Sequence, residues 1–479
     1  MSQALADPKP AKPEPAQAAV AVDAVVQKGR RAMQEIENAG QARIDEAVTA
    51  LAWSIYKPER ARELAELAVL DTGLGNADDK VTKNTRKTFG TLRDLMRART
   101  VGVIEEDKAR GIVKYAKPVG VVGAVTPSTN PAATPVNKAM MAVKGGNAVI
   151  IAASPSGYAT TEKTVDYMRA ELKKIGMPED LVQMLPKPVS KEMTQALMKA
   201  VDLVVVTGSQ NNVRAAYSSG TPAIGVGAGN VPVIIDSTAD LDDAAEKICA
   251  SKIFDNATSC SSENSVTIVE DVYEDAIAAL ERAGGYRAKP EECRKIQDAL
   301  WRDGHLNRHI IARDPAVFAE LCNLPAAAKG AKFFMVEDSG VGDDHPFSGE
   351  KLSLALTIYK AKDFDAAKQH VQTILNYQGA GHSVGIHTKD ADHYRVLAEE
   401  LKVVRVLVNQ AHTFGNGGSF TNGLDFTLSM GCGTWAGNSI SENLNWRHFI
   451  NITHLVTEIP EDRPSEQELF GAHWERYGK

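Results

Sequence analysis

The spacing of hydrophobic residues changes along the chain, from a purely helical pattern to alternating strand and helix patterns. From about residue 20 to residue 73, apolar side chains keep helical spacing, first in AVDAVVQKGRRAMQEIENA and then in ARIDEAVTALAWSIYKPERARELAELAVLDTG. This spacing predicts two helices, of which the second ends at Gly73. Beyond residue 119, short β-type runs alternate with helical runs. Such alternation predicts a parallel sheet covered by helices.

The predicted strands form two series. The first series has strands at 120–125, 147–153, 202–208 and 231–236. The second series consists of SVTIV, LALTIYKA, SVGIHT and VVRVLVNQ, with helices predicted near 271–284, 364–375 and 390–401. Because each series repeats the strand and helix alternation, we predict an α/β protein with two lobes.

Length and composition narrow the class of protein. A chain of 479 residues exceeds one ordinary core, so two or three domains are expected. Hydrophobic residues make up 43% and charged residues 24%, and the net charge of −7 is spread along the chain. The sequence has no sustained run of basic residues that would predict a nucleic-acid partner. No apolar run approaches the roughly 20 residues that span a bilayer. We therefore expect a cytoplasmic protein that binds neither nucleic acid nor membrane.

The five cysteines are scattered, and their spacing predicts no metal site and no disulfide. Cys249, Cys293 and Cys322 lie in helical contexts, and Cys432 lies between glycines, so these four are interpreted as packing or surface thiols. Cys260 differs, because it follows NATS and directly precedes a predicted strand. Backbone N–H groups of a tight turn lower a thiol pKa and bind an oxyanion. A buried inert thiol is the alternative interpretation.

Small polar loops follow three strands of the first series. They read TPSTNPAATP (126–135), SPSG (154–157) and TGSQNN (207–212). Ligands of doubly wound sheets bind beyond the carboxyl ends of strands, so these loops predict a nucleotide site. No GxGxxG follows a strand, and GVGAG (225–229) precedes one, so the standard dinucleotide fingerprint is missing. Ordinary βα turns use the same residue types.

Six stretches together carry a family resemblance. They are DTGLGNADDKVTKN (71–84), GVVGAVTPSTNPAATP (120–135), GTPAIGVGAGNVPVIID (220–236), FDNATSCSSENSV (254–266), NYQGAGHSVGIHT (376–388) and GCGTWAGNSISENLNWRHF (431–449). Over about residues 20–460 the chain resembles the aldehyde dehydrogenase superfamily, and more closely its CoA-acylating branch. The resemblance implies two doubly wound α/β lobes, with Cys260 in the cleft between them, and a small β oligomerisation element.

The resemblance also implies a domain plan. We expect a disordered tail over residues 1–18, whose Ala, Pro and Lys content is typical of such tails. A nucleotide-binding domain then covers 19–229 and includes an oligomerisation hairpin at 111–120. A catalytic domain with the nucleophilic cysteine covers 230–432. Residues 433–479 form a return segment and then a C-terminal oligomerisation strand and arm.

Catalytic roles follow from the resemblance residue by residue. Cys260 becomes the nucleophile, and the Asn130 amide with the Cys260 N–H holds the oxyanion. His382 becomes the acceptor of the CoA proton. Asn130 is otherwise a turn residue before proline, and His382 a structural residue that bonds to loop backbone. Val226 occupies the position of the glutamate base of hydrolytic members, and valine cannot activate water. Acyl transfer to CoA is therefore expected, unless a base comes from elsewhere.

The cofactor residues are also carried over by position. The resemblance assigns NAD or NADP binding to Pro127, Ser128, Thr129, Ala152, Ser154, Thr207, Gly208, Ser209, Gly227, Glu350 and Leu352. Many members place a lysine where this chain has Ala152, so the choice between NAD and NADP stays open. Glu350 matches a ribose-binding glutamate and is otherwise a charge at a strand edge.

The substrate implied by the resemblance is a short aldehyde, with CoA as co-substrate and no metal. Sulfoacetaldehyde is the first expectation, and succinate semialdehyde and acetaldehyde are the alternatives. Arg405 and the loop at 411–420 are candidate donors to an anionic tail, although Arg405 also suits a surface salt bridge. A homodimer or tetramer is expected. A hydrolytic aldehyde dehydrogenase and a non-catalytic nucleotide-binding homologue remain alternatives.

Overall fold

The structure is a computed structural model that describes residues 14–227 and 229–479. The helices are α1 Pro15–Glu35, α2 Gln41–Tyr56, α3 Pro58–Thr72, α4 Ala77–Met96, α5 Ala133–Lys144, α6 Tyr158–Lys174, α7 Lys191–Ala200, α8 Gln210–Tyr217, α9 Leu241–Ile253, α10 Tyr273–Arg282, α11 Pro290–Leu300, α12 Pro315–Leu321, α13 Phe364–Tyr377, α14 Ala391–Glu400, α15 His412–Gly415 and α16 Glu466–Tyr477. The strands are β1 Gly102–Asp107, β2 Ile112–Pro118, β3 Val121–Val125, β4 Ala148–Ala152, β5 Val182–Met184, β6 Leu203–Thr207, β7 Ala223–Val226, β8 Val231–Ile235, β9 Glu263–Val269, β10 Gly285–Arg287, β11 Trp301–Arg302, β12 His305–Leu306, β13 Phe333–Glu337, β14 Ala355–Ala361, β15 Val384–His387, β16 Val406–Val408 and β17 Ile450–Val456.

The helices before β1 correct two predictions. α1 begins at Pro15, inside the segment that was expected to be a disordered tail; the rest of that tail, through residue 13, lies outside the described residues. The predicted long helix before Gly73 is two helices, because Pro58 cannot continue the hydrogen-bond ladder of α2. Its end at Gly73 is confirmed, since Gly73 caps α3 in the left-handed region with φ 69°.

The first sheet is five-stranded and parallel, in the order β5-β4-β3-β6-β7. Strand order reverses between β3 and β6, which is where ligands bind in doubly wound sheets. Lys138 of α5 donates from its buried ammonium to Val125 O at 2.9 Å and to Val205 O at 3.0 Å. It thus joins the two strands at their carboxyl ends. β7 was not predicted, because its four residues carry no strand-length pattern.

The second sheet is seven-stranded and parallel, in the order β10-β13-β14-β9-β8-β15-β16. All four strands predicted for the second series are present in it, together with β8. β10 and β13 were not predicted, although FFMVE of β13 is an apolar run. Helices pack on both sheets, so the α/β fold class is confirmed.

A third, antiparallel sheet joins distant parts of the chain in the order β1-β2-β17. Its register places Tyr115 opposite Thr453. The pairing expected between 111–120 and the C-terminal strand is therefore present. β17 leaves Asn451 through Val456 exposed, and α16 exposes Leu469 and Phe470.

Candidate active site

One large cavity, of about 1270 Å³, collects most of the predicted site residues. It lies where the loops after β3, β4 and β6 meet the segments before β9 and β14. The predicted residues that line it are Pro127, Ser128, Thr129, Asn130, Ala152, Ser154, Thr207, Gly208, Ser209, Gly227, Cys260, Glu350 and Leu352. His382 and Arg405 are not among its lining residues.

The turn that carries Cys260 begins with an unusual backbone. Asp255, Asn256 and Ala257 have φ values of 50°, 53° and 60°, so three successive residues other than glycine are left-handed. Each such residue costs about 1–2 kcal/mol, although Asp and Asn tolerate the conformation better than most. The surrounding structure must therefore hold this segment in place.

Buried ion pairs and a hydrogen bond hold the left-handed segment 255–257 in place. Asp255 is fully buried, and its Oδ2 accepts from Lys80 Nζ at 3.0 Å and from Lys83 Nζ at 2.5 Å. Asn256 Nδ2 donates to Asp314 Oδ1 at 2.8 Å. Burial would raise the pKa of Asp255, but Lys83 and Lys80 outweigh it, and the pKa is lowered. The carboxylate is therefore ionised at neutral pH.

The Cys260 thiol is protonated in the free protein. Burial raises its pKa to about 12, and Glu350 and Cys432 add to the rise. Arg405 and Ser261 act in the opposite direction. The N–H groups of the turn were expected to lower this pKa. That expectation is wrong, because the loss of solvent around the sulfur outweighs the nearby donors.

Asn130 faces the cavity from the loop after β3. Its Nδ2 has one long contact, 3.4 Å to Thr129 Oγ1, and its buried Oδ1 has no partner among the described residues. Lys80 Nζ, which binds Asp255, also donates to Thr129 O at 3.1 Å. One lysine thus ties the Asn130 loop to the Cys260 turn. The Asn130 amide can donate to an oxygen bound in the cavity.

His382 lies behind Gly229 and not in the cavity wall. A Cβ at Gly229 would lie 2.9 Å from His382 Nε2 and 3.1 Å from Cys260 Cβ. The ring Nδ1 is 2.7 Å from Ser383 Oγ, which is 2.8 Å from His412 Nε2. Burial, with a smaller effect of Arg405, lowers the pKa of His382 to about 3. The imidazole is neutral, and its Nε2 has no partner in the described part of the chain.

Arg405 does not match either interpretation from the sequence. It is buried, away from the surface, and its guanidinium donates to Asn416 Oδ1 at 2.8 Å, Gly431 O at 2.7 Å and Asn443 Oδ1 at 3.0 Å. These uncharged acceptors fix the loops behind Cys260. Because these contacts occupy the guanidinium away from the cavity wall, Arg405 is a positioning residue in this structure.

Glu350 is the one carboxylate among the described residues that line the cavity. Burial raises its pKa to about 8, against the lowering effects of the Gly229 backbone and Lys351. Val226 is buried at the end of β7 and does not reach the cavity, whereas Gly227 does. No carboxylate therefore occupies the position of a water-activating base at this point of the wall.

The opposite part of the cavity suits a dinucleotide. Ser209 caps α8 by accepting from Asn212 N at 3.4 Å, and α8 points its N-terminus at the cavity. Helix N-termini bind phosphate through free N–H groups and the helix dipole. Ala152 and Ser154 are small, which leaves room for a nucleotide ribose beside β4.

Several cations of the site were missed by the sequence analysis. Lys83, Arg86 and Lys87 of α4 line the cavity, and Lys80 supports it. Their spacing in KVTKNTRK places them on one helix face, and this was a readable signal. Among the described residues no group of His, Cys, Asp and Glu forms a metal site, and no helix is long and apolar enough to cross a membrane.

Comparisons with known proteins agree with this geometry. Residues 9–285 match the profile of the Aldehyde dehydrogenase family. The acylating sulfoacetaldehyde dehydrogenase of Cupriavidus necator is 54% identical over 97% of this chain and 95% of its own. An acetylating aldehyde dehydrogenase from Geobacillus thermoglucosidasius superposes with a TM-score of 0.89 at 33% identity, over 94% of this chain and 99% of that one.

A third relative carries ligands. The propionaldehyde dehydrogenase of Rhodopseudomonas palustris, solved with bound CoA and an acylated cysteine, has a TM-score of 0.82 at 25% identity, over 91% of this chain and 97% of its own. The profile match covers the first parallel sheet and the Cys260 turn, and the Cupriavidus necator relative extends through both parallel sheets. This chain belongs to the aldehyde dehydrogenase family.

Proposed function

We propose that the protein is a CoA-acylating aldehyde dehydrogenase that uses NAD or NADP. One observation carries this proposal: Cys260, Asn130 and the nucleotide-binding loops line one cavity, while Val226 stands where hydrolytic members have a glutamate. A thioester on Cys260 then meets no base that activates water at that position. A thiol ionises far more readily than water, so CoA is the better acceptor.

The Cys260 thiol passes its proton to solvent, and Sγ then bonds to the aldehyde carbonyl carbon while the carbonyl π pair moves to oxygen. The resulting oxyanion is placed to accept from Asn130 Nδ2 and the Cys260 N–H. The buried Arg405 favours negative charge on sulfur, and Glu350, with a pKa of about 8, is mostly protonated at neutral pH and adds little opposing charge. The loops after β3, β4 and β6 would hold a nicotinamide cofactor, which would supply the hydride acceptor for the former aldehyde carbon.

The thioester is resolved by a second attack. The CoA sulfur bonds to the acyl carbon, the bond to Cys260 Sγ breaks, and the acyl-CoA leaves. We propose that His382 accepts the proton of the CoA thiol, because its unpartnered Nε2 lies beside Gly229 and the Cys260 backbone. Its pKa of about 3 makes it a weak base in the free protein, and a thiolate forming nearby raises that value.

The proposed substrate is sulfoacetaldehyde. Support comes from the Cupriavidus necator relative, which is 54% identical over nearly the whole chain. The cavity is lined by five cations and one carboxylate: Lys83, Arg86, Lys87, Lys191, Arg308 and Glu350. Such an excess of positive charge favours anionic ligands, including the phosphates of CoA and the cofactor.

We further propose a homo-oligomer. β17 extends the sheet of β1 and β2 and exposes Ile452, Leu455 and Val456, and α16 exposes Leu469 and Phe470. A patch of this kind on a C-terminal arm fits burial against a second copy. The cytoplasmic location expected from the sequence stays a prediction, as does the domain plan.

The test is NAD(P)H formation with sulfoacetaldehyde, succinate semialdehyde and acetaldehyde, with each cofactor, with and without CoA. We expect one equivalent of NAD(P)H per Cys260 without CoA, and steady turnover once CoA is added. Cys260→Ala should abolish both phases, whereas His382→Gln should preserve the first and slow the second. Full turnover without CoA would mean that another group activates water.

A further inference from the structure

The cationic face of α4 contains two kinds of charge. Lys83, Arg86 and Lys87 all line the cavity, at helical spacings that place them side by side. Lys83 already has a counter-ion, shared with Lys80, since its Nζ is 2.5 Å from Asp255 Oδ2 and 3.2 Å from Thr258 Oγ1. It has a buried counter-ion and no need of a ligand.

Arg86 and Lys87 have no such counter-ion within residues 14–227 and 229–479. Lys87 Nζ donates to Gly417 O at 2.6 Å, and Arg86 Nη2 donates to Phe414 O at 3.1 Å and to Ser419 Oγ at 3.3 Å. All three acceptors are uncharged. Both side chains are half-buried; partial burial of a cation without a counter-ion is costly, and two adjacent cations repel each other. An anionic ligand would relieve both effects.

This pair lies at the nucleophile end of the cavity. A Cβ at Gly417 would lie 2.6 Å from Lys87 Nζ and 3.4 Å from Met430 Sδ, so the ammonium and the sulfur are both near neighbours of Gly417. Met430 Sδ accepts from Ser261 Oγ at 3.3 Å, and Ser261 adjoins Cys260. Lys87 and Ser261 thus both lie near Met430, at the nucleophile end of the cavity.

Aromatic rings complete this end of the cavity. Phe254 and Phe414 line it, with ring centroids 4.7 Å apart. The Arg86 guanidinium lies 5.3 Å from the Phe414 ring centroid, in the range of a cation–π contact. A ligand here meets an apolar wall, two cations and a thiol, which matches a short carbon chain with an acidic group at one end.

We propose that Lys87 and Arg86 form the binding site for the anionic group of the aldehyde, a sulfonate in sulfoacetaldehyde. The inference rests on the proposed function, since it requires an aldehyde that reacts at Cys260. Burial, Arg86 and Lys83 hold the pKa of Lys87 at about 7, so an anion stabilises its charged form. The anion-binding role expected for Arg405 thereby moves to α4.

The experiment compares kcat/KM for sulfoacetaldehyde and for propionaldehyde, which is neutral and of similar length, at saturating CoA and cofactor. We expect the ratio of the two values to fall about 10- to 100-fold in Lys87→Met and in Arg86→Met, as for loss of a hydrogen bond to a charged group. Lys199→Met removes an exposed cation of α7 that does not line the cavity, and it should leave the ratio unchanged. Ethanesulfonate should inhibit wild type competitively against propionaldehyde, and less in Lys87→Met.

An equal loss with both aldehydes would overturn the inference, because it would assign Lys87 to the chemistry. An unchanged ratio in both α4 variants, or a rise in the KM of CoA alone, would overturn it as well. The proposed function fails differently: wild type would then turn over neither aldehyde in a CoA-dependent manner. Arg86→Met provides the second variant if Lys87→Met does not fold.

Discussion

Lys80 Nζ lies 3.0 Å from Asp255 Oδ2 in the protein interior, and the same ammonium donates to Thr129 O. This contact connects the loop beside Asn130 to the left-handed segment before Cys260. Two parts of the reaction centre that are remote in sequence are therefore held by one buried ion pair, which Lys83 completes.

Asp255→Asn should destabilise the protein by about 3–5 kcal/mol, because it leaves Lys80 and Lys83 buried without their anion. Chemical denaturation monitored by tryptophan fluorescence measures the loss. Glu270→Gln, which breaks the exposed ion pair with Lys360, should change stability little. A similar small change in Asp255→Asn would contradict the role given to this pair.

The same buried ion pair makes the stability of the folded protein depend on pH in the acid range. The pKa of Asp255 is lowered from 3.8, so its carboxylate stabilises the folded protein above that pH. The stabilisation is lost as the pH falls through the lower, folded-state value. Wild type and Asp255→Asn should therefore differ most in unfolding free energy at neutral pH and converge in strong acid.

Gly229→Ala should reduce turnover at least about 100-fold, because small displacements of a reacting group have effects of this size. The added Cβ would lie 2.4 Å from Cys260 O, so the turn must shift. Gly423→Ala is the control, since a Cβ there meets nothing within 4 Å. Circular dichroism should show both variants folded, and wild-type turnover in Gly229→Ala would show that the turn tolerates the shift.

Glu350→Gln should change the pH profile. The pKa of Glu350 is about 8, so the charge that appears above pH 8 raises the pKa of Cys260 further in wild type. The variant cannot acquire that charge, and its profile of kcat/KM against pH should lack the inflection near 8. Glu320→Gln removes an exposed carboxylate and should keep it. An unchanged inflection in Glu350→Gln would assign it to another group.

Alkylation should report the state of the nucleophile. With a pKa raised to about 12, the Cys260 thiolate fraction in the free protein increases with pH throughout the neutral range. The rate of Cys260 modification by iodoacetamide, measured by peptide mass spectrometry, should rise about tenfold per pH unit from 7 to 9. A plateau below pH 9 would indicate a lowered pKa and contradict the burial effect.

The sequence identified most strands of the two parallel sheets because their runs are uniformly apolar, as in β4 and β6. Short strands escaped it: β7 has only four residues and includes a glycine. The helix before Gly73 was misjudged because its periodicity continues across Pro58, where the backbone cannot. The helical spacing of apolar residues predicted one continuous helix, but Pro58 ends the first helix and starts a second.

The sequence also determined which residues surround the cavity, since loops at the carboxyl ends of parallel strands meet at one edge. Asn130 was found in this way, whereas Cys260 and Glu350, which precede strands, were assigned their roles through the family resemblance. Tertiary structure alone decided how these groups are charged. Burial, which raises the pKa of Cys260 and lowers that of His382, comes from packing by segments far away in sequence.

Arg405 and Lys87 also show the difference between what the sequence reveals and what the fold decides. Both are basic residues near polar loops in the sequence, and neither pattern reveals its partners. The fold surrounds Arg405 with fixed uncharged acceptors and leaves Lys87 at the cavity with a single carbonyl. The sequence by itself determined the family, most strands of the two parallel sheets and the candidate nucleophile, because these depend on local pattern. Which cation is free to bind a ligand depends on long-range contacts, and only the tertiary structure decided it.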